Sequence, residues 1–181
     1  MRGAAAVNKK KLLFIMPSLA AGGGEKALVN LLGRLDYGRY EVDLFLLDHG
    51  GLFMDLLPPE VRVLPWPGRY ERFRQPVLRS VLSSLRAGDP GLAASRLLYA
   101  ARSRIGSTAS VREQYGWRYL RRALASAVPG RYDAAVGFLE KTSTYFCVDL
   151  VQAERKIGWI HIDYDRLGMD PAFDDPYFGR L

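Results

Sequence analysis

The sequence is poor in the residues that build disulfides and metal sites. Its 181 residues include one cysteine, Cys147, and two histidines, His49 and His161. One cysteine cannot form an intramolecular disulfide, and the cysteine and histidine spacing of a zinc site is missing. His161 with Asp163 is too small a ligand set for a metal. We therefore expect no metal site and a reducing, cytoplasmic location.

Long hydrophobic runs are also missing. No apolar stretch approaches the roughly 18 to 20 residues that a membrane-spanning helix needs. Residues 12–21, which follow three lysines, imitate a secretion signal, but Pro17 interrupts them and a glycine-rich turn follows. With 49% hydrophobic and 25% charged residues, the composition is that of a folded domain. We predict a disordered leader over residues 1–8 and one domain over residues 9–181.

Lysine is absent from residues 69–128, and acidic residues are scarce there. This segment contains twelve arginines and three acidic residues, a charge of +9, whereas the rest of the chain has a charge of −2. Such a segment predicts either a partner surface rich in phosphate, such as an anionic membrane, or a set of solvated helices. No nucleic-acid-binding motif is recognisable, so we expect no nucleic acid partner.

Short apolar runs alternate with helical patterns along the chain. The runs predict strands over residues 11–16, 42–47, 61–64, 134–139 and 156–160. Helices are predicted over residues 25–35 and from about 142 to 151, with a short helix over 52–57 and about three helices within 69–128. Residues 161–181 show no clear period. This order predicts the α/β class, with a Rossmann-like parallel sheet, helices on both faces and an arginine-rich helical insertion.

Parallel sheets of this kind bind ligands at the carboxyl ends of their strands. The residues that follow the predicted strands are therefore the candidates for a site. They are the loop over residues 18–26, Asp48, His49, Glu140, the helix-capping candidates Thr142, Ser143 and Thr144, His161 and Asp163.

The glycine loop offers free backbone amides at the start of a helix, which attract phosphate or carboxylate. Gly22, Gly24 and Ala27 match the dinucleotide pattern G-x-G-x-x-A, and Asp48 lies where a ribose-binding acid is expected. However, residues 17–21 separate the first glycine from the strand, whereas the dinucleotide motif has it in the tight turn directly after the strand. A phosphate site, a dinucleotide site and a purely structural turn all remain open.

His161 and Glu140, which follow the later strands, could either contact a substrate or have a purely structural role. Alternation along an extended chain predicts His161 and Asp163 on the same side, where the imidazole could contact a substrate oxygen. The alternative for His161 is a structural hydrogen bond. Glu140 either points into the cleft or is solvated. Cys147 is expected to be a buried small hydrophobe rather than a nucleophile.

Four segments together resemble a known family. They are KKLLFIMPSLAAGGGEKALVNLL, YEVDLFLLDHGG, YDAAVGFLEKTSTYF and KIGWIHIDY. Over residues 10–64 and 131–164 the chain resembles the amino-terminal half of bacterial family 4 glycosyltransferases, which have the GT-B fold of two facing Rossmann-like domains. The arginine-rich segment is only weakly similar.

The resemblance implies a function and roles for particular residues. In that family the amino-terminal domain binds the acceptor, the carboxyl-terminal domain holds the nucleotide-sugar, and transfer retains the anomeric configuration without a metal or another cofactor. His161 would be the catalytic residue that contacts the transferred sugar. The substrate-binding candidates are Gly22, Gly23, Gly24, Glu25, Lys26, Glu140, Thr142 and Asp163.

The sequence departs from the family pattern because the donor domain and its glutamate motif are absent. We therefore expect this chain to be a fragment that does not catalyse transfer unaided. The expected partners are a nucleotide-sugar and a glycan or lipid-linked acceptor of the kind used for cell envelope polysaccharide, met in the cytoplasm or at the inner membrane face. The alternatives are a dinucleotide-dependent oxidoreductase domain and a basic anion-binding module.

Overall fold

The protein is built around a five-stranded parallel sheet, in a computed structural model that describes residues 9–181. The predicted leader, residues 1–8, lies outside the described residues. The strands are β1 (Lys10–Met16), β2 (Tyr40–Leu46), β3 (Arg62–Val63), β4 (Arg131–Phe138) and β5 (Gln152–Trp159). Their order across the sheet is β3-β2-β1-β4-β5, and every neighbouring pair is parallel. The predicted α/β class with a Rossmann-like sheet is confirmed.

Seven α-helices are present in residues 9–181. They are α1 (Gly23–Leu32), α2 (Gly68–Arg74), α3 (Val77–Arg86), α4 (Pro90–Arg102), α5 (Ala109–Leu124), α6 (Thr142–Leu150) and α7 (Pro171–Phe178). Single 3-10 turns occur at Met54–Leu56 and Asp165–Leu167. Within the described residues, no helix is both long enough and apolar enough to cross a bilayer.

Three details differ from the sequence prediction. Four helices, not three, occupy residues 69–128, because Gln75 before Pro76 is extended and ends α2. Residues 161–181 contain α7, which Asp170 caps by accepting a hydrogen bond from the Ala172 amide. The predicted cap of α6 is also wrong. Lys141 occupies the cap position, and the three candidate hydroxyl residues lie inside the first turn.

The two faces of the sheet carry separate apolar clusters. Side-chain alternation in β1 sends Phe14 and Met16 to one face, where they pack with Leu28 and Leu32 of α1. Leu13 and Ile15 face the opposite side, where α2, α4, α5, α6 and α7 contribute the core. Leu28 and Leu32 are fully buried, so the apolar side of α1 packs on the sheet.

Helix α3 packs on α2 and α4 with its polar side inward. Ser80 and Ser84 are fully buried, and their hydroxyl groups have no hydrogen-bond partner among the described residues. Leu78, Leu82 and Leu85 lie on the opposite side and are 72%, 43% and 50% exposed. The apolar stripe of α3 therefore faces outward.

Asp43, the one charged residue of the apolar run VDLFLL, is buried and links three strands. Asp43 is 3% exposed and accepts two hydrogen bonds of 2.7 Å from the Arg62 guanidinium of β3. The hydroxyl of Tyr132 in β4 donates to the same carboxylate at 2.6 Å. Hydrogen bonding to Asp43 raises the pKa of Arg62. This charged group replaces apolar packing where β2 meets β3.

Candidate functional site

The crevice that the fold offers to a ligand lies between β1 and β4. These strands are neighbours in the sheet, but α1 follows β1 on one face and α6 follows β4 on the other. The connections leave the sheet in opposite directions, which opens a crevice at the carboxyl edge. The residues just after β1, β4 and β5 meet there.

The loop between β1 and α1 is long and fixed. Residues 17–22 separate the two elements, so the first helical glycine is not in a tight turn after the strand. Leu19 is fully buried and accepts a hydrogen bond from the Phe53 amide at 3.0 Å, while Pro17 accepts one from the Asp48 amide at 2.8 Å. The segment after β2 thus holds the loop in place.

The amino terminus of α1 has no conventional cap. Gly22 is extended and supplies no side chain to the first-turn amides. The Glu25 side chain folds back so far that a Cβ on Gly22 would collide with its carboxylate oxygen. Lys26 is exposed. The helix end therefore presents amide donors and a positive dipole, with one carboxylate already lying against it.

His161 lies directly against this helix end. A Cβ built on Gly23 would lie 3.5 Å from His161 Nε2, and one built on Gly24 would lie 3.4 Å from His161 Cδ2. The Gly24 Cβ would also lie 2.7 Å from Leu139 Cδ2, closer than side chains pack. Glycine at position 24 therefore permits the close approach of α1 to the residues that follow β4 and β5.

The turn after β4 is strained. Leu139 and Lys141 have φ values of 79° and 63°, a left-handed conformation that costs a non-glycine residue about 1–2 kcal/mol. Glu140 between them is 8% exposed, and its Oε2 accepts a hydrogen bond of 3.2 Å from the His161 amide. Strain of this kind concentrates at functional sites, where surrounding contacts maintain it.

Three contacts from other elements maintain the turn. Thr144 Oγ1 donates to the Leu139 carbonyl at 3.2 Å, and Lys141 pairs with Glu113 of α5 at 2.9 Å. Thr142 Oγ1 donates to the other oxygen of Glu113 at 2.7 Å. Glu113 therefore connects the turn to the helical layer.

Of the predicted site residues, the structure brings four together and leaves others apart. Gly23, Gly24, Glu140 and His161 meet at the crevice. β5 ends at Trp159, so the extended chain that was expected to align Asp163 with His161 does not reach them. The Asp163 carboxylate instead pairs with Arg166 at 3.2 Å and accepts from the Asp165 amide.

Asp48 and His49 belong to a separate cluster under the arginine-rich helices. The His49 ring stacks on Trp66 with 4.2 Å between centroids, and the Arg74 guanidinium lies 3.8 Å from the Trp66 ring. Arg74 also pairs with Asp48 at 2.9 Å. Burial lowers the pKa of His49. Asp48 is thus engaged by a cation where a dinucleotide domain would offer a free acid to a ribose.

A cavity of about 560 Å³ opens between α2, α4 and α5, next to the crevice. Thr142 and Glu113 line it on the crevice side, and Arg74, Arg96 and Arg112 line it with three aromatic rings. In the sequence these arginines are part of a general basic segment. One signal was available. Leu92, Arg96 and Tyr99 have the spacing i, i+4, i+7, which puts Arg96 on the inward stripe of α4.

Cys147 is fully buried, as predicted, and its thiol contacts the Ala135 carbonyl at 3.5 Å. Burial raises the pKa of this thiol to about 11, which suppresses the reactive thiolate. Over residues 9–181, no group of three or more His, Cys, Asp and Glu side chains is arranged to hold a metal ion.

Comparison with known proteins adds no family assignment. No family model matches the chain. A search of curated proteins finds no sequence match either. A function must therefore be inferred from the residues of this chain.

Proposed function

We propose that the chain is the acceptor-binding half of a retaining glycosyltransferase, which moves a sugar from a nucleotide-sugar to a glycan or lipid-linked acceptor. The observation that carries the proposal is the convergence of Gly23, Gly24, Glu140 and His161 at the crevice between β1 and β4. A Rossmann-like sheet alone serves many functions. The resemblance of residues 10–64 and 131–164 to family 4 glycosyltransferases favours this one.

In this proposal the start of α1 faces the donor phosphates. Its amides have no side-chain cap, and the positive end of the helix dipole favours an anion. The Glu25 carboxylate lies against Gly22, so a phosphate that binds there requires this side chain to rotate away. The adjacent Lys26 is exposed and supplies a positive charge.

His161 is the proposed catalytic residue, and Glu140 is a positioning residue. The imidazole lies beside the glycine loop, where a transferred sugar would meet the donor phosphates. A hydrogen bond to that sugar that strengthens as charge develops at the anomeric carbon accelerates transfer rather than tightening ground-state binding. Glu140 holds the His161 backbone through its amide.

The test is turnover by an enzyme that combines this chain with the donor-binding half that the resemblance implies. We expect His161→Ala to lower kcat by about a hundredfold or more with little change in KM. Because the His161 side chain is exposed, the melting temperature of the His161→Ala variant should stay near that of the parent.

His49→Ala is the matched control, since His49 stacks on Trp66 away from the crevice. It should lower thermal stability and leave turnover per folded molecule near normal. Near-normal turnover of folded His161→Ala would overturn the catalytic assignment.

A dinucleotide-dependent oxidoreductase domain is the second candidate. The strand order and the glycine loop are compatible with it. The six residues between β1 and α1, and the pairing of Asp48 with Arg74, count against it. We expect calorimetric titration of the chain with NAD and with FAD to show no binding. Tight binding of either one would reverse the order of the two candidates.

An anionic membrane surface is a further proposed partner, and the outward face of α3 supports it. Leu78, Leu82 and Leu85 form an exposed stripe with Arg79 and Arg86 beside it. Leucines that enter the lipid boundary beside arginines that meet phosphates are typical of an interfacial helix. An acceptor carried on a lipid would then be met at the membrane.

Sedimentation with vesicles tests this partner. We expect the chain to bind phosphatidylglycerol-containing vesicles, to bind less as salt is raised, and to bind pure phosphatidylcholine vesicles weakly. Replacing all three α3 leucines by serine should abolish binding. Leu52→Ser, which changes a leucine that is 77% exposed elsewhere, should not affect it. Equal binding to both vesicle types would exclude the anionic surface.

A further inference from the structure

The cavity between α2, α4 and α5 has a positive lining with little internal compensation. Arg74 is paired with Asp48, and Glu113 is paired with Lys141. Among residues 9–181, no carboxylate lies within ion-pair distance of Arg96 or Arg112. Two guanidinium groups without a carboxylate partner therefore line a cavity that is open to solvent.

Arg96 is the more constrained of the two cations. Its Nε donates to the Phe73 carbonyl at 2.9 Å and its Nη2 donates to the Gln75 carbonyl at 3.3 Å. Burial lowers the pKa of this guanidinium, because desolvation disfavours its charged form. Its Nη1 has no hydrogen-bond partner within the described chain and is available to an anion.

The rest of the lining favours a ring-shaped, hydroxylated ligand. Tyr70, Phe73 and Tyr99 line the cavity, and the ring atoms that reach its surface can pack against the C–H groups of a sugar ring. Thr142 and Glu113 provide polar groups on the crevice side. A volume of about 560 Å³ is within the range of roughly 300–1,000 Å³ typical of small-molecule sites.

We propose that this cavity binds a sugar that carries a phosphate or carboxylate group, with Arg96 and Arg112 holding the anion and the aromatic rings holding the sugar. Phosphate and carboxylate oxygens can both accept hydrogen bonds from the free N–H groups of these two charged guanidinium groups. The inference rests on the proposed function and deepens it, since it assigns a negatively charged acceptor to the chain.

Calorimetric titration of the 181-residue chain with four probes tests the ligand class. We expect glucose 6-phosphate and glucuronate to bind at least about tenfold more tightly than glucose, because hydrogen bonds to a charged group are the strong ones. Hexyl phosphate represents a phosphate carried on a lipid chain and should bind more weakly than glucose 6-phosphate. Equal binding of glucose and both anionic sugars, or tightest binding of hexyl phosphate, would overturn the assignment.

Variants then locate the site. Arg112→Gln and Arg96→Gln should each weaken glucose 6-phosphate binding by about tenfold or more. Arg96→Lys keeps the charge but loses the paired donors, so its affinity should be intermediate. Arg34→Gln removes an exposed charge just after α1, outside the cavity, and should change affinity less than twofold. Because Arg96 also holds the end of α2, Arg112→Gln is decisive if Arg96→Gln melts early. Equal losses in Arg112→Gln and Arg34→Gln would show a general charge effect and refute the site.

The outcome is separable from that of the proposed function. Binding of glucose 6-phosphate that depends on Arg112 establishes the cavity even if His161→Ala leaves transfer unchanged. Conversely, transfer that depends on His161 in a chain that binds no anionic sugar leaves the glycosyltransferase proposal standing and removes this inference.

Discussion

Helices α1 and α3 have the same apolar spacing and use it in opposite ways. In α1, Leu28 and Leu32 are fully buried against the sheet. In α3, Leu78, Leu82 and Leu85 repeat at the spacing i, i+4, i+7, yet they face solvent while serines face the protein. An amphipathic pattern thus identifies a stripe but does not say whether that stripe packs on the protein or on something outside it.

The difference follows from what each helix lies on. Helix α1 crosses over the apolar face of a central strand, which large side chains must cover. Helix α3 packs on α2 and α4, and serines on its inner side allow a close approach to them. Exposed leucines on one helix are costly in water, so a conspicuous row of them points to an interaction surface.

The largest expected effect is on the free energy of unfolding. Leu28→Ala should destabilise the protein by about 3 kcal/mol, because it leaves a cavity under α1. Leu82→Ala makes the same chemical change on α3 and should cost less than about 0.5 kcal/mol. Urea unfolding of both variants measures the contrast. Similar losses would show that α3 is covered in the folded protein.

Thiol reactivity also measures the exposure of α3. In a Leu82→Cys variant, a chromogenic disulfide reagent should modify the new thiol on α3 at least about a hundredfold faster than Cys147, which must wait for an opening of the core. Burial, and the pKa of about 11 that it produces, protects Cys147. Both thiols should react quickly in urea. Fast modification of two thiols without denaturant would contradict the burial of α6.

A smaller effect concerns the inward side of α3. Ser80→Ala should stabilise the protein by about 1 kcal/mol, because the buried hydroxyl has no partner within the described residues. Ser83→Ala is the matched control. The Ser83 hydroxyl donates to the Ser80 carbonyl at 3.1 Å, so its removal should give no gain. Thermal melts decide the question, and a loss of stability in Ser80→Ala would reveal a hydrogen bond to that hydroxyl.

The smallest expected effect is on the pH dependence of stability, through His49 in the segment after β2. Burial lowers the pKa of His49 in the folded protein below the ordinary 6.5. Between the folded-state pKa and 6.5, the unfolded chain therefore binds more protons than the folded protein. The contribution of His49 to stability is therefore complete above about pH 6.5 and is lost as the pH falls toward the folded pKa. Urea midpoints between about pH 7.5 and pH 5 should slope less steeply in His49→Gln. An unchanged slope would mean that His49 titrates as an exposed histidine.

The sequence predicts the sheet well because buried parallel strands are continuous apolar runs. All five strands lie within a few residues of their predicted places, although β3 has only two paired residues and β5 begins four residues earlier. Helix α7 was not predicted because its aspartates and prolines mask any helical hydrophobic pattern. Asp170 before Pro171 is nevertheless a recognisable helix-capping signal.

The candidate site was predictable only in part. The carboxyl ends of parallel strands must share one edge, so Glu140 and His161 could be identified from topology. The cavity could not be predicted from topology, because Arg96 and Arg112 lie on different helices. They approach one another only through the packing of α4 and α5. The strained turn around Glu140 could not be predicted either, since leucine and lysine are not residue types that favour the positive φ of Leu139 and Lys141.

The position of Glu113 has a consequence for thermodynamic linkage. Its carboxylate borders the cavity and also holds Lys141 and Thr142 of the turn that carries Glu140. A molecule in the cavity that shifts this carboxylate changes the energy of the turn, and hence the affinity of the crevice for whatever contacts His161. By reciprocity, occupation of the crevice alters cavity affinity by the same factor. Two ligands that never touch would then change each other's binding affinity through the Glu113 side chain.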